Sequence, residues 1–332
     1  VAQKESSEWA KIALLQALLE GPGQGRVGPA SEGDAAARVG IGDDAAVLPS
    51  PGGSLVWTVD AAVDGVHFRR DLLTLDDIGY RSTMAAASDL AAMGASPLGL
   101  LAALILPADF PDDALASLAR GQRAAADALG TAVIGGNLSR GSELSITTTA
   151  LGEARRPLLR RGARPGDRLW MAGPVGLAAA GLRLLLTGAK VESEAAQRAV
   201  SAWRRPRALL AEGQRAAAFA RAAIDVSDGL AQDLGHLGQA SEVSALLDGE
   251  ALVSPELAEV ARELGRDPEE LALHGGEDYA LVIALPAERT IEGFRAIGWI
   301  EEQASGRAAV RVRGPRGDER PVTGRGFDHF RR

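Results

Sequence analysis

The chain contains no cysteine, which excludes disulfides, thiolate metal sites and thiol nucleophiles at once and is compatible with the cytoplasm. Lysine is nearly as scarce, occurring only at Lys4, Lys11 and Lys190. The phosphate loop G-x-x-x-x-G-K-[ST] is absent, and neither H-R-D nor D-F-G occurs, so both the P-loop and the protein-kinase machinery are missing. Long apolar runs are lacking too. The stretches 98–106 and 176–186 fall short of the roughly 18 to 20 residues that cross a bilayer, so no membrane association is expected. The N-terminal segment shows no apolar stretch bounded by a cleavage site, and no targeting segment is expected. Positive charge is outweighed, 36 Lys and Arg against 44 Asp and Glu for a formal net charge of −8. Such a balance repels a polyphosphate backbone and argues against nucleic acid as a partner. Histidine is limited to His67, His236, His274 and His329, of which His236 and His329 read best as structural or surface residues. The bias to Arg, Ala and Gly reads as genomic base composition.

What is present is a chain of 332 residues, 46% apolar, long enough for a large core and for two domains. Its first half alternates apolar strands with alanine-rich helices, which points to α/β or α+β layers. Strands are expected at 45–49, 54–60, 98–107 and 131–136. Between them Thr74 with Asp76 and Asp77 starts a helix that stops at Gly94, and a second helix runs from Pro111 to Gly130. The segment 155–167, RRPLLRRGARPGD, breaks all periodicity and marks a boundary between domains 1–154 and 155–332. Beyond it a strand is expected at 168–173, helices near 175–187, 193–203 and 206–222, a buried strand entering AIDVSDG at 223–229 followed by a helix, then strands at YALVIALP and AAVRVR.

Carboxylates gather at strand ends. IGDDAAVL at 41–48 sets Asp43 and Asp44 in a glycine-initiated turn, Asp60 ends WTVD, and IDVSDG holds Asp225, Ser227 and Asp228. Each is open to a bland reading as a solvated turn or helix cap. Asp89 is harder to dismiss, because it stands among alanines on a helix where an unpaired carboxylate is costly. HGGEDYALVI at 274–283 adds Glu277 and Asp278 behind two glycines that let a backbone approach closely. Strand ends are where open α/β sheets bind ligands, and hard oxygen donors without thiolates suit magnesium or calcium. An acidic site for an anionic substrate needs such metals together with direct phosphate contacts. IGGNLSRG at 134–141 and the arginines Arg160, Arg161 and Arg164 are candidates for those contacts, with a solvated linker as the bland alternative for the arginines. GQGRVG at 23–28 matches G-x-G-x-x-G but follows a helix, and is rejected as a dinucleotide fingerprint.

Taken in order, IGDDAAVL, TVDAAVDGVHF, SDLAAMGASP, IGGNLSRG, LRRGARPGD, AIDVSDGLAQDLGH, LHGGEDYAL and the terminal GFDHF resemble thiamine-monophosphate kinase. That family belongs with aminoimidazole ribonucleotide synthetase, selenophosphate synthetase and HypE. The resemblance implies a two-domain α+β fold whose N-terminal halves pair into a β-barrel across a homodimer. It implies ATP and several magnesium ions as cofactors, and thiamine monophosphate as acceptor. Metal ligands would be Asp44, Thr58, Val59 through its carbonyl, Asp60, Asp89, Asn137, Asp225 and Asp228, with Asp60, Asp225 and Asp228 central to catalysis. Nucleotide contacts would be Gly136, Asn137, Arg160 and Ser227, and acceptor contacts His67, Glu277 and Phe327. Two positions depart from the family pattern, Asn137 where an aspartate is usual and Val59 where a threonine is. A phosphate monoester with a second pKa of about 6 is mostly dianionic at neutral pH and attacks without a general base, so the shortage of histidine is no obstacle. The cationic thiazolium would gain from Phe327 or Tyr279. The alternatives are another ATP-using member of the superfamily with a different acceptor, and a binding protein weakened in catalysis by Asn137.

Overall fold

The computed structural model describes residues 46–50, 52–304, 309–323 and 326. The expected N-terminal helix, GQGRVG, Asp43, Asp44, Phe327 and His329 lie outside them. The described residues form two mixed sheets. The first holds β1 (Ala46–Ser50), β2 (Gly53–Val63), β3 (Ser96–Leu106), β4 (Val133–Arg140) and β5 (Ser145–Ala154) in the order β1-β2-β5-β3-β4. All its pairs are antiparallel except β3 with β4. The second combines β6 (Arg168–Ala172), β7 (Ala222–Val226), β8 (Val243–Asp248), β9 (Ala280–Leu285), β10 (Arg295–Glu302), β11 (Val310–Arg313) and β12 (Glu319–Pro321) in the order β12-β11-β8-β10-β6-β9-β7.

Helix α1 (Leu75–Ala92) starts where Thr74 accepts a hydrogen bond from the Asp77 N–H at 3.1 Å and ends before Gly94. It is buried on nearly all sides. It packs on β2 and β5 of the first sheet, on α2 (Asp112–Ala128), and on β7 and β9 of the second sheet. Small residues make this possible: a Cβ on Gly79 would sit 2.1 Å from the Leu118 carbonyl, and one on Gly121 1.8 Å from that of Asp76. Helices α3 (Leu177–Thr187), α4 (Glu194–Arg204), α5 (Leu210–Ala217), α6 (Leu230–Ser241), α7 (Gly249–Leu252), α8 (Pro255–Glu263) and α9 (Pro268–His274) complete the second half. The main core lies between its sheet and α3, α4, α6 and α8, and a smaller one lies on the opposite face under α5.

The helix expected over 206–222 is shorter, because α5 begins only after Leu209 and is capped at Ala218. Strands β5, β8, β10 and β12 and helices α7, α8 and α9 are not among the elements expected from the sequence. The outer face of the first sheet is exposed and apolar, with Trp57 at 47%, Val59 at 62% and Ile134 at 68% exposure. No helix among the described residues is long and apolar enough to cross a membrane.

Candidate active site

A cleft of about 740 Å³ opens between the two halves and is lined by both. Val59, Asp60 and His67 reach it from β2 and the loop beyond, and Asp89 from α1. Asp225 comes from β7 itself, Ser227 and Asp228 from the turn after it, and Glu277 from the turn before β9. Strand alternation puts the Asp60 side chain on the face of the buried Val56 and Thr58, at an exposed position, while Trp57 and Val59 lie on the opposite face.

Each carboxylate is held differently. The Thr58 hydroxyl donates to Asp89 Oδ2, which accounts for a carboxylate on an alanine-rich helix. Ser88 Oγ donates to Asp225 Oδ2 at 2.6 Å, joining α1 to the fully buried β7. Burial pushes the Asp225 carboxyl up, with the Ser88 bond and the Arg160 charge opposing it. In the turn that follows, the Asp228 and Gly229 N–H groups donate to Asp233 Oδ2 at 3.2 and 3.1 Å. Asp233 is buried, and first burial, then the charges of Asp228 and Asp225, drive its carboxyl well above the ordinary range. His236 is pushed down to about 4 by burial and then by Arg160, and stays neutral.

The turn 274–279 packs backbone to backbone on this one. A Cβ on Gly276 would lie 2.6 Å from the Ser227 carbonyl, and the Glu277 N–H donates to that same oxygen at 2.7 Å. Glu277 and Tyr279 both take positive φ, 67° and 50°. The Glu277 carboxylate is ion-paired with Arg81 and accepts the Trp203 Nε1–H at 2.9 Å. His67 Nδ1 accepts the Val63 N–H at 3.1 Å, which puts the imidazole proton on Nε2, as a donor suited to an anion. An apolar wall of Val66, Leu72, Leu182 and Leu186 completes the cleft.

Hard oxygen donors of this kind suit magnesium, which bridges one or two carboxylates to substrate phosphates and keeps several waters. No group of three His, Asp or Glu side chains among the described residues is placed to hold a metal by itself.

The N-terminal domain of the AIR synthase related proteins matches residues 42–154. The thiamine-monophosphate kinase of Salmonella typhimurium is 37% identical over 309 residues, spanning 88% of this chain and 91% of the relative. The chain belongs to the thiamine-monophosphate kinase family. A second thiamine-monophosphate kinase, from Halobacterium salinarum, is 36% identical over 87% of this chain and 94% of its own length. The solved structure of AaThiL complexed with AMPPCP and TMP has a TM-score of 0.86 at 30% identity, covering 99% of this chain and all of that one (100%). The hydrogenase maturation protein HypE of E. coli, with a TM-score of 0.64 at 20% identity, shares the fold.

Against the family pattern, the cleft brings together Val59, Asp60, His67, Asp89, Asp225, Ser227, Asp228 and Glu277, and Thr58 stands behind Asp89. Arg160 does not line it, but its charge acts on Asp225, Asp233 and His236. Gly136 and Asn137 lie elsewhere, on the exposed edge strand β4, where Asn137 pairs in register with Ala103 and donates to Ser139 Oγ at 3.0 Å. Gly136 is required there by close approach, since a Cβ would meet the Ala102 carbonyl at 1.8 Å. Sequence reasoning in this thiamine-monophosphate kinase family member missed Arg81 and Trp203. A signal for Arg81 existed: Arg81, Ala85 and Asp89 fall at i, i+4 and i+8 on one helix stripe. Trp203 had none, since its role depends on a contact across 74 residues.

Proposed function

We propose that the chain transfers a phosphoryl group from ATP to thiamine monophosphate, giving thiamine diphosphate. One observation carries the reading. Carboxylates from both halves and the Glu277 turn line a single cleft, in a chain that overlays a kinase solved with AMPPCP and TMP over nearly its whole length. Asp60, Asp89, Asp225 and Asp228, with Asp44, Thr58 and the Val59 carbonyl, are the groups that would hold magnesium. When bound, the metal supplies charge neutralisation on two phosphate groups that otherwise repel.

The protein's own contribution is placement. Ser88 and the Arg160 charge oppose the rise that burial imposes on the Asp225 carboxyl, and His67 offers Nε2–H to an anionic oxygen. The dianionic acceptor phosphate attacks in line without a base, so rate comes from orientation and from excluding water. Glu277 and the apolar wall serve the acceptor's rings, with Phe327 beyond them in sequence. Gly136, Asn137, Arg160 and Ser227 serve the nucleotide.

The exposed apolar face with Trp57, Val59 and Ile134 supports pairing of two copies through the first sheet, the homodimeric barrel, which would put Asn137 at the interface. The division into domains 1–154 and 155–332 and a cytoplasmic location belong to the same reading. The test is incubation of the purified protein with ATP, magnesium and thiamine monophosphate. Thiamine diphosphate is the expected product. Binding of both ligands without turnover, or turnover only with a different acceptor, would overturn the reading.

A further inference from the structure

We propose that Trp203 and Arg81 are positioning residues that aim the Glu277 carboxylate at an amino group on the acceptor's aromatic ring. The inference rests on the functional reading above and assigns the chemistry of one side of the cleft.

Glu277 is fixed at three levels. Its backbone is held in the left-handed region, φ 67°, a conformation that is unfavourable for a non-glycine residue and persists only where the surroundings enforce it. Here the enforcement is the pair of backbone bonds from Glu277 and Tyr279 to Ser227 and Val226, at 2.7 and 2.9 Å. The carboxylate is then engaged at both oxygens, Oε1 by Arg81 and Oε2 by the Trp203 Nε1–H at 2.9 Å. Arg81 and Trp203 are in turn locked to each other. The Arg81 guanidinium stands 5.0 Å above the indole and donates to the Trp203 backbone carbonyl. Both are buried, at 5% and 2% exposure.

Three elements from both halves therefore meet on one carboxylate: α1, α4 and the 274–279 turn. A buried guanidinium is tolerated only when paired, and Glu277 supplies the pair. The charge of Glu277 is consequently already matched before any substrate arrives. A matched carboxylate is a weak counter-charge for a cation, but it remains an oriented hydrogen-bond acceptor. A third of its side chain (33%) is still open, on the cleft side. An N–H donor on a planar ring is the chemistry that fits such a group, and the aminopyrimidine of thiamine monophosphate carries one.

Trp203→Phe tests this, because it keeps the ring over Arg81 and removes only the N–H. The expected result is a rise of about tenfold in KM for thiamine monophosphate, the scale of a lost hydrogen bond to a charged group, with kcat and the KM for ATP within twofold of wild type. Wild type should also prefer thiamine monophosphate over its 4-oxo analogue, which lacks the amino group, and Trp203→Phe should lose most of that preference. Arg81→Lys keeps the charge and loses the planar fork; it serves as the second variant and should move the same constant. An unchanged acceptor KM in Trp203→Phe, equal losses for ATP and acceptor, or undiminished discrimination against the 4-oxo analogue would overturn the assignment. Calorimetric binding of thiamine monophosphate to wild type and variant tests the clamp independently of turnover. A wild type that binds the acceptor and makes no thiamine diphosphate would sink the functional reading while leaving that comparison intact.

Discussion

Asp278→Asn isolates what a buried carboxylate does to the pH dependence of stability. Asp278 Oδ2 accepts the Gly176 N–H at 2.5 Å and Oδ1 the Ala178 N–H at 2.9 Å, so a residue 100 positions away caps α3. Its carboxyl is nonetheless pushed up to about 7, from an ordinary 3.8, because burial outweighs those two bonds and the Glu277 charge adds to it. The folded pKa lies above the unfolded one. Between those values the native state keeps a proton that the unfolded chain has released, so stability falls as pH rises and levels off above pH 7. At 1.36 kcal/mol per unit, the interval from pH 5 to pH 7 is worth about 3 kcal/mol. The asparagine variant cannot titrate. It retains one acceptor and turns an NH₂ toward the other N–H, at a cost of about 1 to 3 kcal/mol. The variant is therefore expected to be the less stable protein at pH 5 and to gain about 3 kcal/mol on wild type by pH 8.5. Urea unfolding followed by circular dichroism reads this as a relative midpoint shift on the order of 1 M. A midpoint difference that does not change with pH would refute the reasoning.

Asp60→Asn and Asp225→Asn are each expected to lower turnover by orders of magnitude with the fold intact by circular dichroism; near-normal rates in either would remove that residue from the metal-holding set. Gly136→Ala drives a Cβ to 1.8 Å from the Ala102 carbonyl and should destabilise by about 3 kcal/mol or more, visible as a lowered thermal midpoint; an unchanged midpoint would mean that β4 does not sit this close to β3. Asn137→Asp should lower the magnesium concentration for half-maximal activity if this position reaches a metal in the assembled dimer, because an amide brings no negative charge. Superimposable magnesium titrations would remove Asn137 from the metal site.

The local chemistry of the fold was legible where capping and alternation speak. Thr74 with Asp77 and the strand WTVD were readable, and so were Ser254-Pro255 and Asp267-Pro268, whose side chains cap α8 and α9, although those helices were passed over. Strand β10 hid because Gly298 and a register shift interrupt its alternation. Asp60, expected to end its strand, lies inside β2, which runs on to Val63, whereas Asp225, Asp228 and Glu277 were visible beside strand ends and Asp89 among alanines. What holds them was not, since Thr58 with Asp89, Ser88 with Asp225 and Trp203 with Glu277 are separated by 31, 137 and 74 residues. No local pattern reports a contact of that span.

Helix α1 lies between the two sheets, and its buried positions are mostly alanine, glycine and serine. Its small side chains therefore act as a ruler. The thickness of that one layer sets how far Asp60, on the first sheet, stands from Asp225, on the second. A substitution that adds a methylene at Ala86, Ala87 or Ala91 would act on the reaction without touching the cleft, by wedging its two banks apart. The alanines of α1 are thus a mechanical tolerance, and drift toward valine or leucine at Ala86, Ala87 or Ala91 should lower activity.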